Sequence, residues 1–238
     1  MTPLRVVVVG ARGRMGRFAC ELLRASPDFE LAAELDREHR LEAVLPECRA
    51  ELALDLTVAG LGYEHGLASL RANLRPVIGT SGVSRGETAR LDQAARERGL
   101  GGLVVPNFSL GMWCLQRAAL EIARHFPRVE IIEEHHQHKR DSPSGTARDT
   151  AERLAAALQR PAQDFLIHSL RLPGLFAHQE LRFGGPGETL TLRHDMLGPE
   201  GFGPGILLAL RHASRAVGVG HGLEMALAGE RQPGPSGP

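Results

Sequence analysis

The segment at residues 133–147, EEHHQHKRDSPSGTA, gathers side chains that can move protons. Its Lys139 is the only lysine of the chain, and every other member of the 28 basic residues is arginine. An ammonium can give up a proton, which a guanidinium does not, and imidazole titrates near neutrality. If the preceding strand continues, its alternation places His135 and Lys139 on one face. We therefore predict that His135 and Lys139 are a catalytic pair for proton transfer.

The end of the same segment predicts an anion-binding helix start. Ser144 and Thr146 carry capping hydroxyls around Gly145, and the first N–H groups of a helix attract anions. These three residues are predicted to bind a carboxylate of the substrate. Two other interpretations stay open: the histidines near Lys139 could bind a metal, or the segment could be a polar rim with an ordinary helix cap. No HExxH or paired-cysteine pattern supports a metal, so none is predicted.

A glycine-rich turn near the start of the chain predicts a nucleotide site. The apolar run at residues 5–9 leads into Gly10, Gly13 and Gly16, then into a helical stretch, and Asp36 follows a second strand. This layout is typical of a dinucleotide-binding fold, in which the acidic residue accepts hydrogen bonds from the ribose. Asp36 favours NADH, whereas basic side chains nearby could neutralise the extra phosphate of NADPH: Arg37, Arg12 or Arg14. Both cofactors are predicted to be used.

The order of elements predicts two domains of different character. Strands alternate with helices up to residue 107, which indicates an α/β domain with a Rossmann-like, doubly wound parallel sheet. Residues 108–204 indicate an α+β domain with a mixed open sheet, for substrate binding and oligomerisation. A helix over residues 205–231 is predicted to complete the first domain, and residues 232–238 form a disordered tail.

The composition argues against several classes of function. With 28 basic and 28 acidic residues there is no electrostatic reason to expect nucleic acid or an anionic membrane as partner. No apolar run is long enough for a membrane span, and no secretory leader precedes the first predicted strand. Cys20, Cys48 and Cys114 form no paired motif, which favours a reducing compartment, and a cytoplasmic location is expected.

The pattern at residues 134–147, E-H-H-x-x-K-x-D-x-P-S-G-T-A, closely resembles the signature of the dihydrodipicolinate reductase family. The resemblance extends over nearly the whole chain, with further motifs in the same order. These are the G-x-x-G-R-M-G turn at residues 10–16, Asp55-Leu56-Thr57, Gly79-Thr80-Ser81-Gly82, Pro106-Asn107-Phe108-Ser109-Leu110-Gly111 and Gly187-Glu188.

The resemblance implies reduction of 4-hydroxy-tetrahydrodipicolinate, a ring dicarboxylate, to tetrahydrodipicolinate with loss of water, in the diaminopimelate route to lysine. The reductant would be NADH or NADPH, and the assembly a homotetramer formed through the second domain. By the same resemblance His135 is the general acid/base and Lys139 the proton donor, and the substrate is bound by His136, Ser144, Gly145, Thr146 and Thr80. The implied cofactor residues are Gly10, Ala11, Arg12, Gly13, Arg14, Met15, Asp36, Arg37, Gly79, Thr80, Ser81, Val105, Pro106, Asn107 and Phe108.

The chain departs from the family pattern at two places. Ala177-His178-Gln179 stands where the family usually has G-E-H, and Pro199 stands where an arginine is expected. These changes predict altered contacts to the substrate or between subunits. Two other functions therefore stay open: a related NAD(P)H reductase of another small dicarboxylate or cyclic imine, and an inactive dinucleotide-binding regulator. The single lysine within the signature argues against the regulator.

Overall fold

The structure, a computed structural model, describes residues 2–230 without the side chains of residues 229 and 230. Backbone contacts separate two units: residues 2–108 with 202–230, and Ser109–Gly201. The predicted tail at residues 232–238, and the last residue of the predicted helix over 205–231, lie outside the described residues.

Strands are distributed over both units. Within the described chain they are β1 (Leu4–Val9), β2 (Phe29–Leu35), β3 (Leu52–Asp55), β4 (Arg75–Ile78), β5 (Gly101–Val104), β6 (Arg128–His135), β7 (Ile167–Arg171), β8 (Ala177–Gly185), β9 (Glu188–Met196) and β10 (Gly218–His221).

The helices connect these strands, and none in the described residues is long and apolar enough to cross a membrane. They are α1 (Arg14–Ala25), α2 (Leu41–Val44), α3 (Gly62–Arg71), α4 (Arg85–Arg96), α5 (Leu110–Ile122), α6 (Gly145–Leu158), α7 (Gly203–Arg215) and α8 (Glu224–Glu230).

The first unit is built on a parallel sheet with the strand order β10-β5-β4-β3-β1-β2. Its central strand β1 is a run of valines, and Val6, Val7 and Val8 are wholly buried because both faces are covered. The chain passes from β1 to β2 on one side and returns to β3 on the other, so the loops after β1 and β3 lie at the point where the strand order reverses. Ligands of open α/β sheets bind at this point. The predicted doubly wound parallel sheet is confirmed.

The chain returns to this sheet at its end. A helix was predicted over residues 205–231, but the described part of that range is α7, then β10, then α8. Gly218 has φ +93° and donates its N–H to the carbonyl of Leu100, which starts the pairing of β10 with β5. The sequence hides this strand because it is four residues long and only Val219 is a buried apolar side chain.

The second unit is a sandwich of one sheet and two helices. Its sheet has the order β7-β6-β8-β9, with β6 and β7 parallel and the remaining pairs antiparallel, as the predicted mixed sheet requires. The inner face carries Ile131, Leu181 and Phe183, all wholly buried in the same core as Leu154 of α6. Buried and more exposed residues alternate along β6, so the residues on either side of Ile131 in the sequence point to the opposite face of the sheet.

Candidate active site

Strand β6 ends in a buried carboxylate and an imidazole that touch. Glu133 and His135 are two residues apart and share a face of the strand. The side chain of Glu133 is fully buried and that of His135 is 14% exposed, and the distance from Glu133 Oε2 to His135 Nδ1 is 2.5 Å. One ring nitrogen of His135 is therefore occupied by Glu133, which leaves Nε2 as the nitrogen available for chemistry.

Three further donors surround the Glu133 carboxylate. Arg171 of β7 approaches both oxygens, with NH2–Oε1 2.7 Å and NH1–Oε2 3.1 Å. The backbone N–H of Ser144 donates to Oε1 at 3.3 Å, and the Ser169 hydroxyl also hydrogen-bonds to the carboxylate. Burial alone would raise the pKa of Glu133, but the hydrogen bonds from Arg171 and Ser169 outweigh it and hold the pKa below the ordinary value. Glu133 is thus a carboxylate at neutral pH.

Lys139 reaches this site by a turn and not by strand alternation. The expectation that β6 continues through Lys139 is wrong, because the strand ends at His135 and the N–H of Lys139 closes a turn on the carbonyl of His136. The Lys139 side chain is 22% exposed, and its ammonium lies 2.8 Å from Asp141 Oδ1. Burial is the largest cause of the lowered pKa of His135. The Glu133 carboxylate opposes this lowering, and the positive charge of Lys139 adds to it.

Helix α6 begins directly after this loop. The hydroxyl of its capping residue, Ser144, accepts a hydrogen bond from the N–H of Ala147 at 3.1 Å, and Ser144 is 2% exposed. A Cβ on Gly145 would meet nothing closer than Arg148 at 4.0 Å, so the start of the helix is open to a ligand. The first amides of a helix have no intrahelical partner, and they suit a carboxylate.

Hydrogen bonds between polar side chains in the interior of the second unit hold the first turn of α6 in place. Thr150 donates its hydroxyl to the Thr146 carbonyl at 2.9 Å and accepts amide N–H groups from Gln179 (2.9 Å) and Gln116 (3.0 Å). Gln179, one of the residues that depart from the family pattern, is 2% exposed. Its role in this structure is to hold the helix that starts at the predicted carboxylate site.

The glycine turn after β1 has the geometry of a nucleotide site. Gly10 has φ +88°, and a Cβ there would lie 2.9 Å from the Leu56 backbone. A Cβ on Gly16 would lie 2.1 Å from the carbonyl oxygen of Gly10, so only glycine lets helix and strand approach this closely. Gly13 caps α1 and brings no side chain to it. The amides at the start of α1 therefore suit a pyrophosphate.

Asp36, directly after β2, is enclosed by its neighbours. Its Oδ1 accepts the N–H of Glu38 (3.0 Å) and lies 2.9 Å from Nδ1 of His39, and its Oδ2 lies 2.7 Å from Nε of Arg12. The backbone hydrogen bond from Glu38 is the largest cause of the lowered pKa of Asp36. Arg37 is exposed, and within the described residues no ion pair is formed by it.

A cleft of about 880 Å³ joins these residues to a group that sequence analysis left without a role. Asp55, 3% exposed at the end of β3, accepts hydroxyl groups from Thr57 (2.6 Å) and Thr80 (2.9 Å) and pairs with Nδ1 of His65 (3.1 Å). Thr57 and His65 line the cleft. A carboxylate as the last residue of the buried strand β3 is the sequence signal that points to this cluster.

Chains of known family match this one along almost its full length. A model described as "Dihydrodipicolinate reductase, N-terminus" matches residues 4–108, and one described as "Dihydrodipicolinate reductase, C-terminus" matches residues 111–225. The chain belongs to the dihydrodipicolinate reductase family. It is 40% identical to the 4-hydroxy-tetrahydrodipicolinate reductase of Legionella pneumophila (strain Lens), covering 94% of this chain and 99% of the relative. The identity to that of Moorella thermoacetica is 39%, covering 94% and 98%.

A solved structure of a family member has the same fold. The dipicolinate-bound dihydrodipicolinate reductase from Paenisporosarcina sp. TG-14 superposes with a TM-score of 0.80 at 31% identity, covering 94% of this chain and 99% of that one. The resemblance inferred from the signature motifs is confirmed, and the chain is an NAD(P)H-dependent oxidoreductase.

The predicted cofactor residues of this family member lie in four loops at the carboxyl edge of the parallel sheet, and Arg14 and Met15 lie at the start of α1. The loops after β1 and β2 line the cleft through Gly10, Arg12, Gly13, Arg14, Met15, Asp36 and Arg37. The loops after β4 and β5 hold Gly79 to Ser81 and Val105 to Phe108. Ala11, Val105 and Phe108 are at most 4% exposed, so their side chains pack in the core and their backbone is what a ligand can meet.

The predicted substrate residues divide between the units. The second unit contains His135 and Lys139 together with His136, Ser144, Gly145 and Thr146. Thr80 belongs to the first unit, and its hydroxyl donates a hydrogen bond to Asp55. In residues 2–230 no three His, Cys, Asp or Glu side chains converge as metal ligands. No motif in the sequence indicates a role for Glu133 or Arg171, and only the structure brings them together.

Proposed function

We propose that this protein reduces 4-hydroxy-tetrahydrodipicolinate with NADH or NADPH to tetrahydrodipicolinate, releasing water. The observation that carries the proposal is the array of His135 at the end of β6, Lys139 in the following loop and the open start of α6, all in the second unit. It supplies an acid, an acid/base group and a carboxylate site, which are what a ring dicarboxylate needs. A relative was solved with dipicolinate bound, and dipicolinate is such a ring dicarboxylate.

The substrate is held by its charge. The N–H groups of Gly145 and Thr146, with the side chain of His136, bind one carboxylate, and the capping hydroxyl of Ser144 keeps the helix start in place. Charge-assisted hydrogen bonds of this kind are short and directional, so they also orient the ring.

Protons are handled by Lys139 and His135. When bound, the nicotinamide cofactor supplies a hydride to the ring. Lys139 donates the proton that accompanies reduction, and His135 acts as general acid/base for the hydroxyl that leaves as water. The ammonium is kept in place by Asp141, 2.8 Å away, and the imidazole by Glu133.

The residues around the glycine turn fit a dinucleotide. The open start of α1 binds the pyrophosphate, and Asp36 with Arg37 surrounds the adenosine ribose. Because Asp36 is neutralised by Arg12 while Arg37 is exposed, we propose that both NADH and NADPH bind.

A coupled assay with enzymatically generated substrate tests the function. Wild-type protein should oxidise both cofactors, and Lys139→Ala and Lys139→Arg should each lower turnover by roughly 10²–10⁴-fold with unchanged cofactor binding. Arg140→Ala, at the exposed neighbouring residue, is the control and should keep turnover. Near-wild-type turnover of the Lys139 variants would contradict the mechanism. Oxidation of the cofactor only with another dicarboxylate or a cyclic imine would favour a related reductase. Nucleotide binding without turnover of any substrate would favour a regulator.

We also propose a homotetramer formed through the second unit. The outer face of its sheet carries Ile132 beside Leu166, which is 56% exposed, and Leu170, 37% exposed, with charged groups around them. Apolar centres with charged rims are typical of subunit interfaces. Light scattering should give four chain masses for the wild type and fewer for Ile132→Lys, while Val217→Lys, at an exposed site of the first unit, stays tetrameric. A monomeric wild type would contradict this assembly.

A cytoplasmic location is proposed from the cysteines. Cys20, Cys48 and Cys114 are all free thiols, and unpaired thiols persist in reducing compartments. Cell fractionation should place the protein with a cytoplasmic marker enzyme, and recovery with a periplasmic marker would contradict the proposal.

A further inference from the structure

One buried ion pair touches both halves of the predicted proton-transfer site. The carboxylate of Glu133 contacts Nδ1 of His135 at 2.5 Å, and Arg171 binds the same carboxylate through two nitrogens. Arg171 NH2 also donates to the backbone carbonyl of Asp141 at 2.8 Å, and Asp141 forms the ion pair with Lys139.

We propose that Glu133 is the positioning residue of this active site, and that it fixes His135 as the tautomer protonated at Nδ1, with Arg171 as the partner that keeps Glu133 ionised. The inference rests on the proposed function, because it assumes that His135 is the acid/base group. Neither Glu133 nor Arg171 touches the substrate in this proposal, since both act through other groups.

The chemistry of the carboxylate sets the tautomer. An ionised carboxylate accepts hydrogen bonds and donates none, so the ring nitrogen that faces it must carry the proton. Nε2 is then the unprotonated nitrogen that can take a proton from the reacting group or, once protonated, return it. A histidine without such a partner distributes its proton over both nitrogens, and part of the population would present the wrong one.

Burial explains why a second charge is needed. A fully buried carboxylate loses its hydration and becomes protonated unless it is paired and hydrogen-bonded. The bidentate contact from Arg171, the N–H of Ser144 and the hydroxyl of Ser169 satisfy Glu133. A protonated Glu133 would offer its own O–H to the imidazole and reverse the tautomer.

The same pair ties the catalytic groups to one another. Glu133 accepts the N–H of Ser144, the cap of α6, while Arg171 binds the Asp141 carbonyl, next to the turn that carries Lys139. The acid/base group, the anion-binding helix and the loop of the proton donor are therefore held by one carboxylate and one guanidinium. Displacing either charge should change turnover more than substrate binding.

Nitrogen-15 NMR of the histidine rings in the full-length protein tests the tautomer directly. Because the chain has 11 histidines, the His135 signals are assigned by their loss in His135→Gln. The wild type should show Nδ1 protonated and Nε2 unprotonated. Glu133→Gln should lose this single tautomer and lower kcat about tenfold or more, with KM changed by less than about threefold and cofactor Kd unchanged.

Glu134→Gln is the matched control. Glu134 is the neighbouring residue, 16% exposed, and it pairs with Arg193 and not with His135. Its variant should keep the His135 tautomer and kcat. Arg171→Lys is the second variant, used if Glu133→Gln does not fold; it keeps the charge, loses the bidentate contact, and should give a mixed tautomer and a reduced kcat.

The outcomes separate this inference from the proposed function. A single Nδ1-protonated tautomer and wild-type kcat in both Glu133→Gln and Arg171→Lys would overturn the inference while leaving the reaction intact. Suppose instead that the variants lose the single tautomer of His135 and that the wild type does not turn over the proposed substrate. This result would support the positioning role of Glu133 and contradict the proposed reaction.

Discussion

Asp36 and Arg12 form an ion pair across the mouth of the nucleotide cleft, with 2.7 Å between Oδ2 and Nε. The pairing neutralises the carboxylate that would otherwise repel the 2′-phosphate of NADPH. It also occupies the guanidinium of Arg12, which leaves Arg37 as the exposed positive charge beside Asp36. Cofactor preference should therefore depend on Arg37 more than on Arg12.

Arg37→Ala should raise KM for NADPH about tenfold, because a hydrogen bond to a charged group contributes about 1.5–3 kcal/mol. KM for NADH should change by less than about twofold. Steady-state kinetics with each cofactor measure this. Arg71→Ala, at the exposed end of α3, is the control and should leave both values unchanged. An equal effect of Arg37→Ala on both cofactors would show that Arg37 does not read the phosphate.

Gly16→Ala should impair both stability and cofactor binding. The new methyl group would lie 2.1 Å from the Gly10 carbonyl oxygen, so the turn must move, at a cost of about 1–3 kcal/mol. Denaturant unfolding and NADH titration measure the two effects. Gly86→Ala inside α4 meets nothing within 4 Å and should stabilise by about 0.5–1 kcal/mol with normal NADH affinity. Normal affinity in Gly16→Ala would rule out a close approach of the cofactor here.

Ser144→Ala should weaken substrate binding as well as the helix cap. Ser144 and Ser84 both cap helices through their hydroxyls, so each alanine variant should lose about 1 kcal/mol of stability. Only Ser144→Ala should raise KM for the dicarboxylate, since Ser144 adjoins Gly145 and Thr146. Thermal unfolding and substrate titration separate the two effects, and an unchanged KM would remove the helix start from the binding site.

Asp55→Asn should destabilise the protein in a pH-dependent way. Burial opposes ionisation of Asp55, but hydrogen bonds from His65 and Thr57 outweigh it and lower its pKa. Because the pKa of Asp55 is lower in the folded than in the unfolded protein, its ionisation stabilises the fold at pH values above the unfolded pKa of about 3.9. This contribution is lost as the pH falls through the folded pKa. The variant should therefore lose about 1–3 kcal/mol near neutral pH and progressively less than that below about pH 4.

Denaturant unfolding at several pH values checks this prediction, with Asp28→Asn as control. Asp28 forms an exposed ion pair with Arg211, at 2.7 Å, and its removal should cost less than about 1 kcal/mol. A pH-independent loss in Asp55→Asn would mean that the charge of Asp55 does not contribute.

Local patterns in the sequence predicted much of this fold. The valines of β1 and the glycines after it specify a buried strand and a tight turn through their own backbone and packing preferences. The site around His135 could also be predicted from the sequence, because its reactive side chains lie in one continuous segment. Each of these signals lies within a few residues of the feature that it predicts.

What the sequence could not predict depends on distant partners. Glu133 and Arg171 are 38 residues apart in the sequence, and neither lies in a motif that predicts contact with the other. The strand at Gly218–His221 is defined by pairing with β5 and has almost no apolar pattern of its own. Lys139 was placed beside His135 for the wrong reason, since β6 ends at His135 and a turn delivers the lysine.

The return of β10 to the first sheet has a consequence for how the protein is made. On the ribosome, Ser109–Gly201 is complete before Gly218 has been synthesised, and it can fold as a continuous unit. Until β10 emerges, the nascent chain exposes the unpaired edge of β5, which could pair with another chain. The nucleotide-binding unit thus begins first and finishes last, and a chain released before residue 218 would lack the strand that covers this edge.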